Sequence, residues 1–192
     1  GRVNYSYADK YLLEAVVRRD GSSRFGTKKY GIFPAFSVGW RVSQEDFMAS
    51  TSDWLNELKI RAGYGVVGND QMGNYNSYTQ FAYSEGSASY GMNGSNGAFS
   101  NTGFYQSTFG NADVKWETTT TTNVGIDATL LKNLTLTFDV WQRNTKDMLY
   151  QKQLPLVLGT ATRPSRNIGE MKNIGFDLEL GYVNSAFNGD LT

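Results

Sequence analysis

Apolar and polar residues alternate one by one along most of the chain, which is the periodicity of a β-strand. Leu13 and Val17, for example, share one face of a predicted strand, and Glu14 lies on the other. Six segments of this kind predict six full strands at 11–18, 32–41, 58–66, 116–130, 134–140 and 174–182. One partial strand precedes them at 3–7, and another begins at Gly189. The chain is therefore predicted to be all-β and antiparallel.

The connections between these strands alternate in length. The short turns are predicted at 8–10, 131–133 and 184–188. The long connections are predicted at 20–31, 67–114 and 151–173. Segment 44–57 is of medium length and lies on the short-turn side, and its apolar residues favour a helical turn. Tight turns on one side and long loops on the other are typical of an outer-membrane barrel, whose turns are periplasmic and whose loops are extracellular.

A membrane barrel and a soluble sandwich both contain alternating strands, and two features favour the barrel. The predicted strands reach roughly ten residues, whereas strands in soluble proteins average about five or six. The polar face is also unusual for a surface in water, because it mixes charges of both signs with Gly39, Gly63, Gly65, Gly125, Gly175 and Gly181. Aromatic residues at strand ends would form a girdle at the membrane surface, and they are Trp40, Trp116 and Tyr182.

Composition excludes several classes of function. The 192 residues include 18 Lys+Arg and 18 Asp+Glu, so the chain lacks the basic excess that nucleic-acid binding requires. Because it has no His and no Cys, catalytic triads, the usual zinc sites and disulfides are excluded. We expect no nucleic-acid partner, no cofactor, no metal and no enzymatic activity.

Two weak motifs could argue against this expectation. The glycines of 63–68 match a dinucleotide-binding pattern, but no helical period follows them to hold a pyrophosphate. Asp177 and Glu179 share a strand face at a separation of about 7 Å, within the range of inverting glycosidases. Pairing of such carboxylates with arginines on the same face is the simpler interpretation.

Several longer motifs resemble the SusC/RagA family of TonB-dependent outer-membrane transporters. These motifs are DGSSRFG at 20–26, WL at 54–55 running into LKIRAGYG at 58–65 and GN at 68–69, KWETT at 115–119, KDML at 146–149 and GEMKNIGF at 169–176. Their order is consistent over nearly the whole chain. Ile174 is a small departure, because the family usually has a polar residue there. In the first motif we expect a structural role, with Asp20 and Arg24 tying the base of a loop.

The resemblance implies a segment of a larger, 22-stranded, plugged barrel in the outer membrane of a Gram-negative bacterium. At about 27 residues per strand such a barrel needs about 600 residues, so we expect 1–192 to be an internal part of the β-barrel domain, with no plug domain present. The family further implies import of nutrient oligomers, either glycans or peptides. It implies a SusD-like surface lipoprotein, the TonB–ExbB–ExbD system acting through the plug, and outer-membrane lipid as partners.

The long connection 67–114 is predicted to be an extracellular loop and is the candidate substrate site. It is rich in Gly, Ser, Asn and aromatic residues and carries three charges, Asp70, Glu85 and Asp113. Aromatic rings stack on sugar faces, while amides and hydroxyls hydrogen-bond the sugar hydroxyls. The candidate substrate-binding residues are Tyr75, Tyr78, Phe81, Tyr83, Tyr90, Phe104 and Tyr105. The alternative is that these rings pack the loop on itself or on neighbouring loops.

Two alternative functions are also compatible with the sequence. A siderophore or cobalamin receptor is a TonB-dependent alternative with the same architecture. A soluble extracellular carbohydrate-binding β-domain belongs to a different class, and it would not require detergent for extraction.

Overall fold

A computed structural model of the chain describes residues 1–84, 89–91, 100–155, 157, 159 and 161–183. The long strands in these ranges are β1 Arg2–Tyr7, β2 Tyr11–Gly21, β3 Tyr30–Arg41, β4 Leu55–Asn69, β9 Glu117–Leu130, β10 Leu134–Lys146 and β13 Glu170–Tyr182. The short strands are β5 Gln80–Tyr83, β6 Ser89–Gly91, β7 Ser100–Thr102, β8 Phe104–Thr108, β11 Leu149–Gln151 and β12 Ser165–Asn167. Within the described part of the chain, no helix has the length and apolar character needed to cross a membrane.

The long strands form one seven-stranded antiparallel sheet in the order β1-β2-β3-β4-β9-β10-β13. The six predicted full strands and the partial strand at 3–7 are therefore confirmed. Several strands are longer than predicted: β4 continues to Asn69 and β10 to Lys146. The predicted turn at 184–188 and the strand beginning at Gly189 lie outside the described residues.

One face of this sheet is apolar. Phe138 lies directly opposite Ile126 on one neighbouring strand and Leu178 on the other, and directly opposed residues share a face. The period-two pattern predicts one shared face for one apolar residue from each full strand, and the register confirms it for Leu13, Phe36, Ile60, Ile126, Phe138 and Leu178. Phe36 is 50% exposed and Leu178 is 58% exposed, so this face is a surface and not the core of a sandwich.

The opposite, polar face has a consistent pairing of glycines with longer side chains. A Cβ added to Gly125 would meet Asp139 Oδ1 at 2.3 Å, and one added to Gly175 would meet the Trp141 ring at 2.6 Å. A Cβ added to Gly63 would lie 2.5 Å from Asn123 Oδ1. These glycines therefore leave room for the side chain of a residue on the adjacent strand.

The two short connections are tight turns with left-handed backbone at both central residues. The first has Ala8 at φ 51° and Asp9 at φ 53°, and the second has Leu131 at φ 52° and Lys132 at φ 64°. Positive φ at both positions is the I′ geometry, whose twist matches that of the flanking strands. The predicted helical turn on this side is confirmed as two 3₁₀ helices, Val42–Gln44 and Asp46–Thr51.

Beside these turns, Glu45 joins the ends of two strands. Its Oε1 accepts hydrogen bonds from the Tyr11 hydroxyl at 2.7 Å and from Trp40 Nε1 at 3.1 Å, and its Oε2 accepts one from Lys10 Nζ at 3.1 Å. The rings of Tyr11 and Trp40 stack with centroids 6.4 Å apart. The hydrogen bonds from Tyr11, Trp40 and Lys10 lower the pKa of Glu45 to about 2.

Candidate functional site

The long connections gather at the end of the sheet opposite the tight turns, and the DGSSRFG motif fixes their base. Arg24 Nε donates a hydrogen bond to Asn74 Oδ1 at 3.2 Å, and its Nη1 lies 3.6 Å from Asp70 Oδ2. Phe25 is fully buried against Trp116, with ring centroids 5.2 Å apart. The predicted structural role of Arg24 is confirmed.

Asp20 has a different role from the one predicted. Its carboxylate pairs with Arg18 at 2.7 Å, two residues earlier on β2, and does not tie the loop base. The physical reason is the strand periodicity, which places Arg18 and Asp20 on the same face. Ser22 supplies the second tie instead, because its hydroxyl donates to Asp70 Oδ2 at 2.8 Å.

A second connection, which carries the β11–β12 hairpin, locks onto the first through Asn167. The Asn167 amide nitrogen donates to the backbone carbonyls of Lys115 and Asp147, both at 2.8 Å, and its Oδ1 accepts from the Lys115 N–H at 2.9 Å. Backbone hydrogen bonds also run from Phe109 N to Thr162 O and from Thr162 N to Ser107 O. The loops therefore form one hydrogen-bonded assembly above the sheet.

An exposed aromatic face lies on the two-stranded sheet formed by β5 and β8. Tyr83 lies directly opposite Phe104, and Phe81 lies two residues from Tyr83, so the three rings share one side. Phe81 is 67% exposed, and Tyr83 and Phe104 are each 74% exposed. Tyr83 and Phe104 meet edge to face with centroids 6.5 Å apart. Gln106 pairs with Phe81 on the same side and supplies an amide. We call Phe81, Tyr83, Phe104 and Gln106 the hairpin face.

The other predicted residues of the loop lie elsewhere. Tyr105 pairs with Ala82 on the opposite side of the hairpin and is half-buried. Tyr75 and Tyr78 are exposed on the turn before β5, where Tyr75 has φ 61°. The side chain of Tyr90 lies outside the described residues. Sequence reasoning missed Gln106, although its two-residue spacing from Phe104 was the signal that would have found it.

The polar face carries a charge cluster on three adjacent strands. Arg61 on β4 forms ion pairs with Asp127 on β9, at 3.0 Å, and with Asp139 on β10. The arginine and Asp139 face each other across Gly125, which lies between them in register. The carboxylates that Arg61 binds are therefore not the predicted ones: among the described residues, neither Asp177 nor Glu179 forms an ion pair with an arginine, and Asp177 is engaged by Trp141 instead.

Both weak motifs lie on long strands of the sheet. All of 63–68 lies inside β4, so its glycines are strand residues with no helix after them. Asp177 accepts a hydrogen bond from Trp141 Nε1 at 2.9 Å, on the polar face of the sheet. Across the described ranges, no group of three carboxylates is placed to hold a metal ion.

Comparison with known proteins extends these observations to a family. The family model described as TonB dependent receptor-like, beta-barrel matches residues 1–192. A TonB-dependent receptor of Formosa agariphila is 37% identical over 181 residues, which are 93% of this chain and 16% of that protein. TonB-dependent receptor SusC of Bacteroides thetaiotaomicron is 32% identical over 207 residues, which cover 100% of this chain and 19% of that protein.

Solved structures give the same result. The structure of the RagAB peptide transporter aligns with a TM-score of 0.79 at 30% identity, over 96% of this chain and 19% of that one. The RagAB peptide importer in its open-open state aligns with a TM-score of 0.78 over 93% of this chain and 18% of that one. The chain thus spans less than a fifth of the length of these relatives. The family match and the strand register agree: the chain belongs to the TonB-dependent receptor β-barrel family and is SusC/RagA-like.

Proposed function

We propose that the chain forms part of the wall of an outer-membrane active transporter that imports nutrient oligomers into a Gram-negative bacterium. The observation that carries this proposal is the two-faced sheet, with an exposed apolar face on one side and charges with glycines on the other. In a barrel, the apolar face would contact lipid and the polar face would line the lumen. The family match to residues 1–192 supports the same assignment.

The proposal extends to the remainder of the transport machinery that the family implies. A plug inside the barrel would couple the lumen to the TonB–ExbB–ExbD system, and a SusD-like surface lipoprotein would cover the extracellular mouth. The connections 22–29, 70–116 and 147–169 would be extracellular loops, because they lie opposite the tight turns. The RagAB structures are described as a peptide transporter and importer, which favours a peptide over a siderophore or cobalamin as the cargo here, while a glycan oligomer stays the other candidate.

Within this transporter, we assign substrate contact first to the hairpin face. Its three rings are exposed and already ordered on a paired sheet, and Gln106 adds a hydrogen-bonding amide beside them. Such a surface suits an uncharged oligomer, because the loop from 70 to 113 carries only three charges in its sequence. Tyr75, Tyr78 and Tyr90 remain secondary candidates, whereas Tyr105 would support the hairpin from behind.

Growth assays test the transport function directly. The full-length gene should be deleted and restored in its own host, and growth compared on oligopeptides and on oligosaccharides as the limiting nutrient. We expect one class to support growth only when both the gene and TonB are present. The siderophore alternative would be favoured if the gene had no effect on growth on either oligomer class but was required for growth when an iron chelate was the limiting nutrient.

Substitution of the rings tests the site. The triple change Phe81→Ala, Tyr83→Ala, Phe104→Ala should weaken substrate binding by about 1 kcal/mol per ring, judged from the energies of aromatic contacts. Tyr105→Ala is the comparison variant, because it removes the ring that supports the same hairpin from behind and so measures how much of the loss comes from loosened packing. Unchanged binding of substrate to the purified triple variant would rule out the contact role, and increased protease cleavage of the loop would then assign the rings to packing.

Extraction behaviour separates the remaining class. The family assignment gives no support to a soluble carbohydrate-binding domain, which would leave the membrane fraction without detergent. The full-length protein should instead require detergent.

A further inference from the structure

The sheet splits at its loop end, and the split creates a groove. Pairing between β3 and β4 ends at Ala35 and Gly65. Beyond that point β3 continues with β2 as far as Tyr30, while β4 continues with β9 as far as Asn69. A groove of about 430 Å³ lies between the start of β3 and the start of β9. We call it the fork groove; its lining includes Lys28, Lys29, Tyr30, Ile32, Trp116 and Thr118.

The fork groove has an apolar part and a cationic rim. Ile32 is 66% exposed and lies on the apolar face, directly opposite Arg19 of β2. Lys28 and Lys29 are exposed in the loop just before β3. A ligand that fills this groove would therefore contact apolar side chains and ammonium groups together.

Arg19 is held at the edge of the fork groove by a specific contact. Its guanidinium carbon lies 4.5 Å from the centroid of the Tyr30 ring. The Tyr30 ring lies over Gly21 on the neighbouring strand, where an added Cβ would be 2.9 Å from Tyr30 Cε1. Stacking on an aromatic ring leaves the N–H groups of an arginine free at their edges, where they match the geometry of a phosphate.

Two of the carboxylates near the fork groove are already engaged. Asp20 pairs with Arg18 at 2.7 Å, and Asp147 pairs with Lys115 at 2.7 Å. Among the described residues, Arg19, Lys28 and Lys29 form no ion pair. Lys28 and Lys29 therefore line an amphipathic groove, Arg19 lies beside it on the Tyr30 ring, and an anionic ligand would complement their charge.

We propose that the fork groove, with Arg19, Lys28 and Lys29, binds the phosphate headgroup of a phosphorylated lipid in the outer leaflet. The inference rests on the proposed membrane placement, in which the apolar face contacts lipid and the loop end is extracellular. At that level the cations meet the headgroups, and Ile32 meets the acyl region. A free anion would use the cations but leave the apolar wall empty, so the lipid is the better fit.

The test uses the full-length transporter purified in detergent, with retained lipid counted by native mass spectrometry. The probes are lipid A, dephosphorylated lipid A and inorganic phosphate. The triple variant Arg19→Gln, Lys28→Gln, Lys29→Gln should retain lipid A at least about fivefold less than wild type, since several charge-assisted contacts are lost. Removing the phosphates from the lipid should have the same effect as removing the cations from the protein. The amount of dephosphorylated lipid A on wild type should therefore not exceed the amount of lipid A on the triple variant.

Two controls keep the result interpretable. Lys132→Gln removes a cation at the tight-turn end and should leave lipid retention unchanged. The double variant Lys28→Gln, Lys29→Gln changes only exposed loop residues, so it reports on the site if the triple variant fails to assemble. The inference would be overturned if the double variant retained as much lipid A as wild type does. It would also be overturned if wild type retained dephosphorylated lipid A as well as it retains lipid A. Saturation of the wild-type site by inorganic phosphate with the affinity of lipid A would overturn the lipid as its occupant.

Localisation distinguishes this inference from the proposed function. If wild-type protein is absent from the outer-membrane fraction, the proposed function fails. If it is present and imports substrate, but lipid retention does not depend on these cations, only the lipid site fails.

Discussion

Arg61 and Asp139 lie two strands apart and still form an ion pair, because Gly125 on the strand between them leaves the space above it open. Asp127 takes the other side of the guanidinium, with Nε donating to Oδ2 at 3.0 Å. Two carboxylates therefore share one arginine on the polar face of the barrel wall. This arrangement makes the arginine the critical member of the cluster.

Replacing Arg61 by Gln should lower the free energy of unfolding by about 1–2 kcal/mol, less than for a fully buried pair because the side chains are partly exposed. The loss arises because Asp127 and Asp139 then repel each other without a cation between them. Urea unfolding of the full-length barrel in vesicles measures it. Adding Asp139→Asn should restore part of the stability, and a double variant less stable than Arg61→Gln would contradict the shared-arginine interpretation.

Gly125→Ala should destabilise the barrel by about 1–3 kcal/mol, the usual cost of overpacking. Its new methyl group would meet Asp139 Oδ1 at 2.3 Å and Arg61 Cζ at 3.1 Å. Gly65→Ala is the matched control on the same face, because its methyl group would meet only Ala35 Cβ, at 3.7 Å. The same unfolding assay should separate the two variants, and equal midpoints would show that the gap above Gly125 is not needed.

Glu45 should make stability depend on pH in the acid range. Hydrogen bonds from Tyr11, Trp40 and Lys10 lower its pKa from 4.5 to about 2. A carboxyl group with a depressed folded-state pKa contributes its full stabilisation above the unfolded value, and this is lost as the pH falls through the folded value. Glu45→Gln should therefore be less stable than wild type at pH 7, and the difference should shrink between pH 4.5 and 2. Unfolding midpoints across this range measure it, and a constant difference would exclude the carboxylate as the cause.

Arg24→Ala should loosen the long loop without affecting insertion of the barrel. The change removes the contacts to Asn74 and Asp70 that hold the loop base. Limited proteolysis of whole cells should then cut the loop faster, while the amount of assembled barrel stays at the wild-type level. Arg166→Ala, which changes an exposed arginine of the neighbouring β11–β12 hairpin, should leave the cleavage rate unchanged. Equal cleavage of the Arg24 and Arg166 variants would show that the tie is dispensable.

The strands were predictable from sequence because only one face of the sheet is apolar. This constraint requires an apolar residue at every second position of a strand. Leu13 and Leu178 are far apart in the chain, yet the same period-two rule places both on the apolar face. The ends of the strands were less predictable. Residues Gly68 and Asn69 continue β4 beyond its apolar pattern, because their backbone pairs with Thr118 and Glu117.

The candidate site was predictable only in composition. The aromatic residues of the long loop were recognisable, but their division between two sides of a hairpin depends on the register of β5 with β8. That register includes an irregularity between Gln80 and Phe81, which no simple alternation indicates. The tie from Asn167 to Lys115 was also hidden, because it joins loops separated by 52 residues.

The pairing of glycines with neighbouring long side chains also limits how far the polar side of the wall extends. Trp141 lies across Gly175, Asn123 across Gly63 and Asp139 across Gly125, so each side chain lies along the wall. Polar groups that would otherwise project toward the barrel axis are thereby kept within the thickness of one side-chain layer. In the proposed transporter, a plug segment or a solute that moves past these three positions would meet side chains that lie along the wall.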